Sequence, residues 1–231
     1  MERRDFMKYL AAGSAAVIFG CGRADKKAVS VTEAVDALSP QPPAPLIGQS
    51  GALILPEPTS QAISAVSRKQ WRANEPLAGK MTTMNGCNRI TIHHEGNPKP
   101  NNDGNPTAVA ACLRGIQKAH CQSMDAGDIG YHFIIDRQGL IWQGRDLRYQ
   151  GAHVKSNNSH NIGIMCLGNF ELQQPTLAQL NTLGKLSRAL SKGYRIPPNQ
   201  IFAHRELRST ACPGKNLYAY VQTIRDQIKR A

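Results

Sequence analysis

Three side chains that commonly bind zinc stand at strand ends and in a loop of the predicted fold. His93 ends one predicted strand and His204 ends another, and Cys212 follows eight residues after His204 in a loop that continues into Pro213 and Gly214. Two imidazoles and one thiolate would leave the fourth position of a tetrahedral zinc ion for water, a pattern typical of catalytic sites. Zinc lowers the pKa of such a water to about 7 and polarises the carbonyl group under attack. These residue types therefore indicate metal-assisted hydrolysis.

Spacing alone leaves this site open to other interpretations. A histidine bonded within the core and a cysteine in a disulfide would give the same arrangement of His204 and Cys212. Spacing also does not choose between His93 and His94, because adjacent residues of a strand face opposite sides of the sheet.

The elements that must position these residues alternate between strands and helices. Runs of β-branched and apolar residues predict strands at 89–93, 131–136, 140–142, 161–167 and 201–204, and Arg137-Gln138-Gly139 forms the turn of a hairpin. Helical spacing of apolar residues predicts helices at 106–121, 176–192 and 217–229. Interleaved strands and helices predict an α/β fold with a mostly central sheet.

Short motifs occur along the chain in a characteristic order. They are Trp71, Ile92-His93-His94, Gly115-Ile116-Gln117-Lys118-Ala119-His120, Ile129-Gly130-Tyr131-His132-Phe133-Ile134-Ile135-Asp136, Gly144-Arg145, Gly151-Ala152-His153, Asn161-Ile162-Gly163-Ile164, Gly168-Asn169-Phe170, Ala203-His204-Arg205-Glu206 and Ser209-Thr210-Ala211-Cys212-Pro213-Gly214. The set resembles the peptidoglycan recognition protein family and the related type 2 N-acetylmuramoyl-L-alanine amidases, including zinc amidases of the T7-lysozyme type. It covers about 165 residues, from roughly 66 to 230. The resemblance implies a single domain with a mixed central β-sheet flanked by helices and zinc in a surface groove.

The resemblance also implies roles for individual residues. It selects His93 rather than His94 as the first zinc ligand, with His204 and Cys212 as the others. Tyr131 matches the family's catalytic tyrosine, which positions or deprotonates the attacking water, and Thr210 matches a residue beside the developing oxyanion. Contact with substrate is expected of His94, His153, Asn157 and Asn158. His132 is expected to face the opposite side of its strand.

The function implied is zinc-dependent cleavage of the amide bond between N-acetylmuramic acid and L-alanine in peptidoglycan. The alternative is a non-catalytic lipoprotein that binds peptidoglycan, and a zinc peptidase acting within the stem peptide is a further one. Recognition-only members of the family usually lack a zinc ligand. Because this chain keeps all three ligands and Tyr131, catalysis is favoured.

The composition of the chain limits the classes of partner that we expect it to bind. Its 28 basic and 16 acidic residues give a formal net charge of +12, which favours an anionic partner such as the carboxylates of stem peptides. The basic residues are scattered and no nucleic-acid-binding motif accompanies them, so no nucleic acid is expected. We expect a monomer.

The N-terminal segment predicts export to the cell envelope. Residues 1–21 combine Arg3-Arg4, a short apolar stretch and Cys21, which resembles a twin-arginine lipoprotein signal with lipid on Cys21. A cleaved signal with a chance cysteine is the alternative. Residues 22–65 are rich in proline and predict a tether, and 66–231 form the predicted amidase domain. A periplasmic, membrane-anchored protein follows.

An oxidising compartment would allow disulfides among the remaining cysteines. Cys87, Cys112, Cys121 and Cys166 could form two bonds in three pairings. Cys112 and Cys121 would lie about 13 Å apart along one continuous helix, which is beyond disulfide reach.

Overall fold

Two short strands open the described part of the chain. The computed structural model describes residues 51–53, 63–100 and 104–230. Strand β1 (Gly51–Leu53) pairs antiparallel with β2 (Ile63–Ala65), so the segment predicted as a tether contains regular structure near its C-terminal end. The predicted signal at 1–21, with Cys21, and most of the predicted tether lie outside the described residues.

The central sheet has five strands and is mixed. Its strands are β3 (Arg89–His94), β4 (Phe133–Ile135), β5 (Ile141–Gln143), β6 (Asn161–Cys166) and β7 (Ile201–Ala203), in the spatial order β5-β4-β6-β3-β7. β3 is parallel to β6 and to β7, and β4 is parallel to β6. The outermost strand β5 is antiparallel to β4. Four carboxyl ends therefore meet along one edge of the sheet.

Helices cover both faces of this sheet. Helix α1 (Pro106–Ser123) packs Val109 and Leu113 against one face, in a cluster with Trp71 and Trp142. Helices α2 (Leu177–Tyr194) and α4 (Lys215–Lys229) pack leucines and Val221 against the other face, in a cluster with Ile90 and Ile92. The mixed central sheet flanked by helices is thus confirmed.

Local sequence explains where the long helices begin. The side chain of Asn105 accepts a hydrogen bond from the Thr107 amide, and Pro106 occupies the first helical position of α1. Thr176 and Gln179 form a reciprocal capping box at the start of α2. No helix in the described part of the chain is long and apolar enough to cross a membrane.

The end of β7 differs from the prediction. The sequence predicts a strand through His204, but β7 ends at Ala203 and His204 begins the four-residue helix α3 (His204–Leu207). The carboxylate of Glu206 accepts a hydrogen bond from the Ala203 amide and so stabilises this start. The change of backbone direction places the His204 side chain at the sheet edge.

The disulfides that the cysteine count allows are not formed. All cysteines within the described residues are free thiols: Cys87, Cys112, Cys121, Cys166 and Cys212. Helix α1 runs without a break through Cys112 and Cys121, in agreement with the expectation that this pair cannot bond.

Candidate metal centre

His93, His204 and Cys212 form a cluster at the carboxyl-end edge of the sheet. One ligand atom from each residue lies within 4.8 Å of the others. His93 Nδ1 is 3.6 Å from Cys212 Sγ, and the centres of the two imidazole rings are 4.6 Å apart. His93 is buried, whereas His204 and Cys212 are partly exposed, so solvent reaches the cluster from their side.

Neighbouring parallel strands bring the two histidines together. His93 is the fifth residue of β3, and His204 follows β7 directly, so both leave the sheet at the same edge. Because side chains alternate along a strand, His93 lies on the face opposite Ile92 and the α2–α4 layer. The order of the strands thus brings His93 beside His204, which follows it in the chain by more than one hundred positions.

Arg205 fastens the loop that carries Cys212. Its backbone amide donates to the Cys212 carbonyl oxygen at 2.9 Å, and its guanidinium donates to the carbonyl oxygen of Ala211 and to Glu171. The amide of His94 donates to Cys212 Sγ at 3.4 Å. The third candidate ligand is therefore bonded both to β3, which carries His93, and to α3, which carries His204.

The polar atoms of the cluster fit a bound cation. His204 Nε2 is buried without a hydrogen-bond partner among the described residues, which is unusual for a ring nitrogen. Burial holds the pKa of His93 well below its ordinary value, and burial also lowers the pKa of His204, so both imidazoles are neutral. Burial raises the pKa of the Cys212 thiol to about 12, and a coordinated cation would reverse that cost by pairing with the thiolate. Two neutral imidazoles and one thiol are a donor set that suits zinc.

Tyr131 lies directly beside the cluster. Its ring centre is 5.2 Å from that of His93, in an edge-on arrangement. Arg145 fixes the segment leading to it, because the buried guanidinium donates to the carbonyl oxygens of Ala126, Asp128 and Ile129, and the Arg145 amide donates to the Tyr131 carbonyl oxygen. Burial, followed by the nearby Cys212 and Glu95, raises the pKa of the Tyr131 phenol well above its ordinary value. The phenol therefore keeps its proton at neutral pH.

Thr210 lies two residues before Cys212 in the same loop. Its side chain is exposed, and its hydroxyl oxygen accepts a hydrogen bond from the Cys212 amide at 3.2 Å. The hydroxyl proton stays available for a second hydrogen bond.

The residues predicted to contact substrate mostly make internal bonds. His94 turns to the other face of β3, where its Nδ1 accepts from the Phe170 amide at 3.2 Å. Asn158 Oδ1 accepts from the amides of His153 and Val154, and Asn157 Oδ1 accepts from Arg89. The contacts of the two asparagines shape the loop before β6.

His132 and His153 lie behind His93. His132 Nδ1 accepts from the Gly163 amide, and its Nε2 lies 3.0 Å from the Tyr149 carbonyl oxygen. His153 Nδ1 lies 3.0 Å from His93 Nε2, a contact that sequence reasoning did not find. Arg205 was missed as well, although its position directly after the candidate ligand His204 is a usable signal.

Comparison with models of protein families assigns the chain to a family. The model of the N-acetylmuramoyl-L-alanine amidase family matches residues 65–215, a range that contains the whole cluster and Tyr131. The chain belongs to this family. Peptidoglycan-recognition protein SC2 of Drosophila melanogaster is 33% identical over 166 residues, which are 70% of this chain and 86% of the relative. Human N-acetylmuramoyl-L-alanine amidase is 34% identical over 140 residues, which are 58% of this chain and 23% of the human protein.

Solved structures of the amidase family share the fold. Wild-type Drosophila PGRP-LB superposes with a TM-score of 0.61 at 29% identity, over 68% of this chain and 91% of that one. A mutant of PGRP-LB in complex with tracheal cytotoxin gives 0.61 at 28% identity, over 69% and 93%. N-acetylmuramoyl-L-alanine amidase LysC from Clostridium intestinale gives 0.56 at 28%, over 68% and 94%. The family thus includes proteins named for recognition as well as for catalysis.

Proposed function

We propose that this chain is a zinc-dependent N-acetylmuramoyl-L-alanine amidase that releases stem peptides from peptidoglycan. The observation that carries the proposal is the cluster of His93, His204 and Cys212, whose ligand atoms lie within 4.8 Å of one another with Tyr131 beside them. Three protein ligands, two of them partly exposed, suit a site that keeps a coordination position for water or substrate.

Each side chain of the site has a distinct task in this proposal. Zinc held by the three ligands would supply Lewis-acid polarisation of a carbonyl and a lowered pKa for a water molecule. The protonated Tyr131 phenol acts as a hydrogen-bond donor that orients the attacking water or the scissile carbonyl. The Thr210 hydroxyl accepts from the Cys212 amide and donates its own proton to the developing oxyanion.

The proposed substrate agrees with the charge of the chain and with its relatives. A net charge of +12 favours a polymer that bears stem-peptide carboxylates.

We propose that the protein acts from the cell envelope, exported through the twin-arginine-like signal and anchored by lipid on Cys21. This places the site within reach of the peptidoglycan mesh.

Digestion of purified sacculi tests the proposal. The wild type with zinc should release free stem peptides that begin with L-alanine, identified by mass spectrometry. Tyr131→Phe should keep zinc but lose at least about 100-fold in rate, because it removes a hydrogen bond used in the transition state. Cys212→Ala should lose both zinc and activity. Full release of peptides by Cys212→Ala, or in the presence of a strong chelator, would contradict the metal mechanism.

A recognition protein without turnover is the second candidate. Relatives named peptidoglycan-recognition proteins favour it, as does a neighbouring structure that contains tracheal cytotoxin. Retention of the wild type on sacculi without release of any peptide, at full zinc occupancy, would establish this function instead. Peptides lacking L-alanine at their N-terminus would indicate a peptidase that cuts within the stem.

A further inference from the structure

The ring of His153 is buried behind the metal cluster and bonds through both nitrogens. Its Nδ1 lies 3.0 Å from His93 Nε2, and its Nε2 lies 3.1 Å from the carbonyl oxygen of Asn161. The residue is 8% exposed. Because both nitrogens are engaged inside the protein, the imidazole has no free polar atom to offer a substrate.

These contacts determine where the ring protons lie. A carbonyl oxygen only accepts, so His153 Nε2 must carry a proton and donate it to Asn161. Among the described residues no carboxylate bonds to this buried ring, which favours its neutral form and makes Nδ1 an acceptor. His93 Nε2 must then donate to His153. The remaining nitrogen of His93, Nδ1, is left with a bare lone pair, and it is the atom 3.6 Å from Cys212 Sγ.

Two glycines make room for the His153 ring. A Cβ atom added at Gly163 in β6 would lie 2.6 Å from His153 Cδ2, and one added at Gly151 would lie 2.2 Å from the same atom. Both distances are far below van der Waals contact. The ring therefore occupies a slot that any larger residue at either position would close.

Asn161, whose carbonyl oxygen accepts the hydrogen bond from His153 Nε2, is also held in place. The Asn161 side chain donates to the Asn157 carbonyl oxygen at 2.7 Å and accepts from the Thr91 hydroxyl at 2.9 Å. The amide of His153 itself donates to Asn158 Oδ1. Asn158 thus holds the backbone of His153, and Asn161 holds the carbonyl group to which the ring bonds.

We propose that His153 is a positioning residue that holds His93 in the tautomer whose Nδ1 is free to bind zinc. The inference rests on the proposed function only for the identity of the metal. Partners of this kind orient a ligand and fix its tautomer, and their loss typically weakens metal binding by about 10- to 100-fold.

Zinc affinity of variants, measured by competition with a chromophoric chelator, tests the role directly. His153→Leu removes the acceptor and should weaken binding by about 10- to 100-fold. His153→Asn places an amide oxygen near the position of Nδ1 and should recover most of that loss. Gly163→Ala keeps both histidines but displaces the ring, so it should also weaken binding. His120→Leu is the matched control, because His120 is a half-buried histidine that bonds to the Gly130 amide rather than to a ligand, and it should leave affinity unchanged.

Nuclear magnetic resonance of the metal-free, ¹⁵N-histidine-labelled protein gives a second readout that does not depend on activity. The wild type should show the Nε2-protonated tautomer of His93 and a scalar coupling across the bond to His153 Nδ1. His153→Leu should show a mixture of His93 tautomers. A wild-type His93 protonated at Nδ1, or unchanged zinc affinity in folded His153→Leu, would overturn the inference. Zinc binding through the expected tautomer without any peptide release would contradict the amidase and support the role of His153.

Discussion

The hydroxyl of Thr210 is the most exposed polar group placed in the proposed site. It already accepts a hydrogen bond from the Cys212 amide, so its orientation is set by the loop that carries a proposed ligand. A side chain in this position affects two properties, the stabilisation of the oxyanion and the geometry of Cys212. Substitutions that separate these properties are therefore the most informative at this residue.

Replacement of Thr210 by valine should reduce kcat by about 100-fold with little change in KM, because a donor to the oxyanion is lost while the branched shape is kept. Thr210→Ser retains the hydroxyl and should stay close to the wild type. Steady-state rates on a soluble muropeptide provide the measurement. Zinc affinity must be measured in parallel, and a parallel loss of zinc in Thr210→Val would assign the effect to the Cys212 loop instead.

At the scale of elements, the segment between α1 and β4 depends on one buried cation. The Arg145 guanidinium donates to the carbonyl oxygens of Ile129, Gln150, Ala126 and Asp128, and the residue is only 4% exposed. No regular structure satisfies these carbonyl groups, so the arginine replaces the hydrogen bonds of a strand or helix. The segment ends at Tyr131, which links its order to the proposed chemistry.

Arg145→Met should lower the free energy of unfolding by about 3 kcal/mol, because several buried carbonyl groups lose their donors. Urea unfolding followed by circular dichroism measures this loss. Arg148 is the matched control, since it is exposed and pairs with Asp146 at the surface, and Arg148→Met should change stability little. Equal losses of unfolding free energy in the two variants would show that the buried hydrogen bonds of Arg145 contribute no more to stability than a surface ion pair does.

The sequence predicts the elements better than it predicts the bonds between them. Runs of β-branched and apolar residues locate β3 and β6, and helical spacing of apolar residues locates the three long helices within a few residues, since burial sets both patterns. The start of α3 at His204 was missed, because it depends on Glu206 capping Ala203 rather than on hydrophobicity. The contact of His153 with His93 joins residues 60 positions apart, and no spacing rule reaches that far.

At the scale of the whole molecule, buried neutral histidines make stability depend on pH. His132 is buried with its Nδ1 accepting from the Gly163 amide, and burial lowers its pKa to about 4. An unfolded chain binds this proton near pH 6.5, while the folded protein binds it only near pH 4. Between these values the unfolded state holds more protons, so the stability present above pH 6.5 is lost as the pH falls.

The metal-free wild type should therefore lose about 3 kcal/mol of stability through His132 alone between pH 6.5 and pH 4. His132→Asn keeps an acceptor for the Gly163 amide but cannot titrate, and its stability should fall less over the same range. Urea unfolding at several pH values, with zinc removed, measures both slopes. Identical slopes for the two proteins would mean that His132 does not titrate as expected.

The separation of the ligands along the chain also orders events during biosynthesis. His93 and Cys212 are 119 positions apart, and their approach closes a loop that contains most of the sheet. A nascent polypeptide that has reached β6 contains only one of the three proposed ligands, His93, and the complete site exists only once residue 212 has left the ribosome. Zinc uptake would thus come after translation of the domain rather than guide it, and the bound ion would act as a late cross-link that joins the first strand of the central sheet to the last loop.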